Sequence, residues 1–148
     1  MKRILYVTTV SRTINAFLIP HIKMLIDEGN VVDCACCIDK EIDESLVQSG
    51  VKVYNIPFTR NPFALRNIRA LIKLFKLQKK NRYNIIHVHT PIAALYGRLL
   101  KLRYRRLKTL YTVHGFHFYK GAPLKNWLIY YPIERIMAKL TDTIITMN

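Results

Sequence analysis

Imidazoles supply the most conspicuous chemistry in this chain. Four of the five histidines fall in two short tracts, Ile85-Ile86-His87-Val88-His89-Thr90-Pro91 and Tyr111-Thr112-Val113-His114-Gly115-Phe116-His117-Phe118. Each tract opens with β-branched or aromatic residues, which read as a buried strand, and breaks at turn-forming residues. Gly115 is expected at positive φ, where glycine alone moves freely. In an open parallel sheet, ligands bind beyond the carboxyl ends of the strands. His89, Thr90, His114, Gly115, Phe116 and His117 are therefore candidate walls of a site. A histidine near neutral pH donates to phosphate oxygens or to sugar hydroxyls. The plain alternative is a pair of structural histidines closing the strand end. His87 and His89 share a strand face at period two. They could ligate a metal, but no third ligand stands at motif spacing, so no metal is assigned. His87, deeper in the strand, reads as a hydrogen-bonded core residue.

Other chemistries are excluded by what the loops lack. The segment from Thr8 to Thr13 contains no glycine, so a dinucleotide pyrophosphate could not approach its backbone in the usual way. No Gly-x-x-x-x-Gly-Lys occurs, and no acid cluster follows the first strand, which removes phosphate-loop ATPases and receiver domains. Ser11 and Thr13 are candidate donors to an anion at a helix start, with Arg12 adding charge; a plain N-cap by either hydroxyl is the alternative. No pair of carboxylates lies near the histidines, which excludes two-acid hydrolysis within this chain. Cys34, Cys36 and Cys37 crowd one strand, where neighbours alternate faces. They read as structural thiols of a reduced compartment.

The elements that must position these groups follow from hydropathy. Strands are expected over residues 4–10, 31–38, 51–58, 85–89, 109–113 and 143–147. Helices are expected over 14–28, 41–48, 62–80, 91–103 and 124–140, with Pro20 kinking the first or marking its late start. This alternation with short connections predicts an α/β fold, a Rossmann-like parallel sheet with helices on both faces. The length of 148 residues fits a single domain. A strand at the very end of the chain suggests a fragment, or one half of a two-domain enzyme.

Charge is the abnormal feature. The chain carries 24 Lys and Arg against 9 Asp and Glu, a net charge of +15. Between Ser45 and Ile133 there is no acid at all. Such a field favours an anionic partner: nucleic acid, phosphorylated substrate or anionic bilayer. Arg66, Arg69, Lys73, Lys76 and Lys80 recur at helical spacing within an arc of roughly 80°, beside an apolar stripe of Leu65, Ile68, Ile72 and Phe75. That combination suits anionic lipid head groups; an ordinary solvated helix face is the alternative. A second cluster, Arg98-Lys101-Arg103-Arg105-Arg106-Lys108, points the same way. The aromatics gather around Phe116–Tyr119 and Trp127–Tyr131 rather than among the basic residues, which argues against single-stranded nucleic acid. The apolar run after Lys2-Arg3 is too short for a signal peptide.

Three tracts together resemble family 4 glycosyltransferases of bacterial capsule and exopolysaccharide synthesis. They are His87-Val88-His89-Thr90-Pro91-Ile92-Ala93-Ala94 through Gly97-Arg98-Leu99, then Tyr111 to Phe118, then Pro132-Ile133-Glu134-Arg135 and the strand ending at Asn148. The resemblance implies the amino-terminal half of a GT-B fold, with residues 1–148 as the acceptor-side domain. It implies a nucleotide-sugar donor, no separate cofactor, and a carboxy-terminal domain, absent from this chain, that supplies most of the nucleotide pocket. His114 matches the family histidine that contacts the transferred sugar and its diphosphate. The segment Ser11–Thr13 matches the one that approaches the donor phosphates, where many relatives carry Gly-Gly and this chain does not. The family further implies hexosyl transfer with retention of configuration and a saccharide or lipid-linked saccharide acceptor. It implies a cytoplasmic enzyme, peripheral on the inner face of the membrane, with no nucleic-acid partner. The chain alone is expected to be inactive. Two alternatives stay open: half of a GT-B-like nucleotide-sugar epimerase, or a non-catalytic basic domain for anionic lipid or nucleic acid.

Overall fold

A computed structural model describes residues 1–147; the last residue of the tract ending at Asn148 lies outside the described residues. Six strands form one parallel sheet in the order β3-β2-β1-β4-β5-β6. They are β1 (Arg3–Val10), β2 (Val31–Cys37), β3 (Val53–Asn55), β4 (Ile85–His89), β5 (Lys108–Val113) and β6 (Thr143–Thr146). β1 is central and nearly continuous in apolar character, as a strand covered on both faces must be.

Period-two alternation divides the core in two. Leu5, Val7, Ile86, Val88, Tyr111 and Val113 point to one face. Ile4, Tyr6, Val32, Cys34 and Cys36 point to the other. On the first face lie α4 (Leu65–Asn81) and α5 (Pro91–Arg98), whose residues Ala70, Leu74, Ala93 and Ala94 are buried there. α5 continues as a 3-10 turn over Leu99–Leu102. The remaining long helix, α6 (Leu124–Ala138), joins β5 to β6.

The first crossover departs from the single helix expected. A short turn α1 (Ser11–Thr13) runs into a π-helical segment (Ile14–Leu18) and then α2 (Ile19–Asp27). Pro20 sits in the first turn of α2, where its missing N–H costs nothing. The late start is thus the outcome, and the π segment is how the chain reaches it. α3 (Glu44–Gln48) is shorter than expected because Asp43 caps it, accepting from the Ser45 N–H at 2.9 Å.

α4 begins at Leu65 rather than Pro62. Asn67 is fully buried; its Nδ2 donates to the Asn61 carbonyl at 2.7 Å and its Oδ1 accepts from the Thr59 N–H at 2.8 Å. Those bonds hold residues 59–61 outside the helix. The face α4 buries is Asn67, Ala70, Leu74 and Gln78. The stripe expected from hydropathy is instead turned outward: Leu65 is 79% exposed, Ile68 49% and Ile72 50%.

Candidate functional site

The register of the sheet places the imidazoles side by side. Tyr6 of β1 pairs with His87 of β4, and His89 pairs with Thr112 of β5. Successive odd positions therefore share one face, and Tyr6, His87 and His89 stack there. Ring centroids are 4.8 Å apart for Tyr6 and His87, 4.3 Å for His87 and His89, and 5.5 Å for Tyr6 and His89. His114, one residue past the end of β5, closes the row: its Nε2 lies 3.1 Å from His89 Nδ1. His87 Nε2 lies 2.8 Å from Thr112 Oγ1, the hydrogen-bonded role expected for it.

Their environments differ sharply. His89 is only 2% exposed. Burial drives its pKa down to about 2, with the neighbouring His87, His114 and His21 adding repulsion. Burial likewise drives His87 down to about 4, aided by His21 and His114. Both rings stay neutral at any physiological pH. His114 is exposed. The strand tip that was expected to be a wall is thus two-layered, with His89 beneath and His114 above.

This row forms one side of a groove of about 550 Å³. Phe17, Leu18, His21, Met24 and Leu25 form the opposite side, and Leu110, Ile145 and Met147 continue the floor. His21, which sequence reasoning placed in the apolar stripe of the first helix, faces this groove. A titratable residue inside an apolar stripe was the signal.

The tip of β4 is strained. Thr90 has φ 67° and ψ 144°, an outlier for a β-branched residue. Its side chain is anchored from β1: Thr90 Oγ1 accepts from the Thr9 N–H at 3.0 Å and lies 2.7 Å from Thr9 Oγ1. The β1–β2 register shifts between Val7 and Val10, a bulge of the kind that re-aims residues near sites. Gly115, by contrast, has no positive φ; the left-handed turn expected at Gly115 is absent. Around it, Phe116 and Phe118 lie 4.8 Å apart, His117 packs on Tyr130 at 4.6 Å, and Phe118 contacts Trp127 and Tyr131. The loop is thus held by aromatics on α6.

The first loop is braced by an acid that sequence reasoning did not single out. Ser11 is buried; its hydroxyl lies 2.9 Å from Asp39 Oδ1 and 2.7 Å from the Lys40 carbonyl, and accepts from the Lys40 N–H at 3.0 Å. Arg12 Nε donates to Asp39 Oδ2 at 2.6 Å. Desolvation raises the pKa of Asp39, but the hydrogen bonds from Ser11 and Arg12 outweigh it and hold the carboxyl below its ordinary value. Neither Ser11 nor Thr13 acts as an N-cap: that position is Val10, with no side-chain bond. Thr13 is half-buried.

Arg66, Arg69, Lys73, Lys76 and Lys80 are all exposed along α4, so the basic stripe and the apolar stripe of Leu65, Ile68 and Ile72 lie together on its outer surface. The second cluster is smaller than expected. Arg98 has no exposed surface; it forks onto Glu134 at 3.0 Å and stacks 4.4 Å from the Tyr111 ring centre. Lys101 pairs with Asp142. Among the described residues, no group of three or more His, Cys, Asp or Glu is placed to hold a metal ion, and no helix is long and apolar enough to cross a membrane.

A six-stranded parallel sheet with a groove running to its strand tips is the Rossmann-like half of a GT-B fold. Residues 3–148 match the family described as glycosyl transferase 4-like, and the chain belongs to that family. It is 38% identical over 152 residues to EpsD of Bacillus subtilis (strain 168), which carries the name of a glycosyltransferase; the match covers 99% of this chain and 38% of EpsD. It is 29% identical over 103 residues to the Escherichia coli UDP-Gal:alpha-D-GlcNAc-diphosphoundecaprenol alpha-1,3-galactosyltransferase, covering 69% of this chain and 27% of that enzyme. The fold also matches the crystal structure of UDP-GlcNAc 2-epimerase from Neisseria meningitidis bound to UDP-GlcNAc, at a TM-score of 0.67 and 15% identity, covering 99% of this chain and 40% of that one. The chain therefore spans less than half the length of these relatives.

Proposed function

We propose that this chain is the acceptor-side half of a glycosyltransferase. The whole enzyme moves a hexose from a nucleotide-sugar to a saccharide carried on a lipid diphosphate or a growing polysaccharide. A second domain supplies most of the nucleotide pocket, so residues 1–148 alone do not turn over. The observation that carries this reading is His114: an exposed imidazole beyond the tip of β5, backed by a second imidazole and bordering a groove, in a chain of the glycosyl transferase 4-like family. As the diphosphate departs, charge separates between it and an oxocarbenium-like sugar. His114 meets that charge as a hydrogen-bond donor rather than as a nucleophile, and the sugar keeps its configuration. Gly115, Phe116 and His117 border the transferred sugar, with His89 and Thr90 behind His114. Ser11, Arg12 and Thr13 flank the donor phosphates, with Arg12 the free cation of that loop once its pairing to Asp39 exchanges.

The outer surface of α4 serves the acceptor's location. Exposed Leu65, Ile68 and Ile72 beside five exposed bases fit an anionic bilayer surface, which places the enzyme on the cytoplasmic face of the membrane. Expression of the full-length coding sequence, with a panel of UDP-sugars and undecaprenyl-diphosphate saccharides, tests the reaction. Sugar transfer that falls sharply in His114→Ala supports it. Conversion of UDP-GlcNAc to its 2-epimer without transfer would replace it with the epimerase reading. Flotation with anionic vesicles tests the surface: loss of binding in a variant with Arg66, Arg69, Lys73, Lys76 and Lys80 all changed to Glu supports it, and a salt-sensitive DNA shift without flotation refutes it.

A further inference from the structure

The geometry points to His89 as the residue that fixes the tautomer of His114, so that His114 presents Nδ1–H as a neutral hydrogen-bond donor. The assignment rests on reading His114 as the group that meets the donor diphosphate and sugar.

A neutral imidazole carries one proton, on Nδ1 or on Nε2. His89 is 2% exposed, packed between Tyr6, His87 and His114, and its burial keeps it neutral. Its Nδ1 faces His114 Nε2 at 3.1 Å. Its Nε2 is buried without a hydrogen-bond partner. Two arrangements satisfy the 3.1 Å contact. In one, His89 holds its proton on Nε2 and accepts at Nδ1; this strands a buried N–H donor with no acceptor. In the other, His89 holds its proton on Nδ1 and donates it to His114 Nε2; this strands only a bare lone pair. Buried, unpaired N–H groups are the rarer and costlier of the two defects, so the second arrangement wins. His114 Nε2 is then an acceptor, and a neutral His114 must carry its own proton on Nδ1.

The consequence is chemical. Free imidazole side chains in water favour the Nε2–H form. A His114 left alone would offer a donor at the wrong nitrogen, or would have to be a cation to donate from Nδ1. With His89 beneath it, His114 donates from Nδ1 while uncharged, aimed by a ring that packing holds in place. His89 thus acts as a positioning residue: it touches His114 and not the reacting atoms. A dry, neutral ring suits that task, because a charged His89 would repel a protonated His114 and leave no acceptor between the pair.

Long-range ¹H–¹⁵N correlation spectra of this chain, labelled with ¹⁵N-histidine and recorded at pH 7.5, read the tautomer of each ring directly. The expected spectrum shows both His89 and His114 protonated at Nδ1. In His89→Phe, His114 reverts to the Nε2–H form. In His89→Asn the amide Nδ2 takes the position of the imidazole Nδ1 and restores the Nδ1–H form of His114. In the full-length enzyme, His89→Phe lowers kcat by up to about 100-fold, the scale of a misplaced reacting group, with little change in the KM for the nucleotide-sugar; His89→Asn recovers most of it. A wild-type spectrum with His114 protonated at Nε2 overturns the assignment, as does an unchanged His114 tautomer in a folded His89→Phe. The wild-type spectrum decides even if the Phe variant does not fold. It uses no substrate, so absence of transferase activity beside the expected tautomers would refute the transferase reading alone.

Discussion

Acidification should unfold this protein earlier than its carboxylates alone would allow. His87 and His89 stay neutral in the folded chain because burial drives their pKa values down to about 4 and about 2. In the unfolded chain each titrates near 6.5. The unfolded state therefore binds protons first, and stability present above about pH 6.5 is lost as the pH falls below it. From pH 8 to pH 5, each ring alone removes about 2 kcal/mol, and the two together up to about 4 kcal/mol. That is a large part of a typical stability of about 5–15 kcal/mol. Asp39, Asp43 and Asp142 have carboxyl groups held below their ordinary values, so their contribution fails only at lower pH and leaves the window between pH 7 and 5 to the imidazoles. Urea unfolding followed by the fluorescence of Trp127, the chain's one tryptophan, checks this. With a urea slope of about 2 kcal/mol per molar, the midpoint should fall by about 2 M between pH 8 and pH 5. The His87→Asn, His89→Asn double variant should lose most of that pH dependence, whatever its stability at pH 8. A midpoint flat across this range, or an undiminished slope in the double variant, would refute the reasoning.

Three further outcomes follow from the core. Glu134→Ala leaves Arg98 buried without its carboxylate, so denaturant unfolding should show a loss of about 3–5 kcal/mol, whereas replacing both partners with apolar residues should cost much less. Gly97 lies where a Cβ would come within 2.6 Å of Val88 Cγ1; because Val88 is stiff at χ1, Gly97→Ala should cost about 1–3 kcal/mol by the same assay. Burial pushes the Cys34 thiol up and the Cys36 thiol up to about 12, so a disulfide reagent at pH 7.5 should modify half-buried Cys37 quickly and the other two only after denaturation.

Much of the architecture was legible because it rests on local rules. Strand alternation, the two histidine tracts and the glycine-poor first loop all survive in three dimensions. The errors trace to polar residues with tertiary partners. Hydropathy chose Leu65, Ile68 and Ile72 as the buried face of α4, but the helix buries Asn67 and Gln78 because each ties down a loop: Asn67 holds residues 59–61, and Gln78 Nε2 donates to the Tyr83 carbonyl at 3.1 Å. Arg98 joined a basic cluster by sequence proximity; its partner Glu134 is 36 residues away and invisible to spacing. The unusual backbone was expected at Gly115 and occurs at Thr90, where a hydroxyl bridge to Thr9 supplies what residue preference would not. His89 was read as surface because strand tips usually are; only the register with β1 and β5 shows it roofed by His114.

The Thr9–Thr90 bridge has a mechanical corollary. It bolts the exit of β1 to the exit of β4 through one pair of hydroxyls, and the brace from Asp39 to Ser11 and Arg12 extends the same scaffold to β2. Three adjacent strand exits thus behave as one stiff anvil under the imidazoles. Whatever a bound molecule does when it arrives, this floor yields little, so adaptation to its shape falls to the aromatic loop after His114.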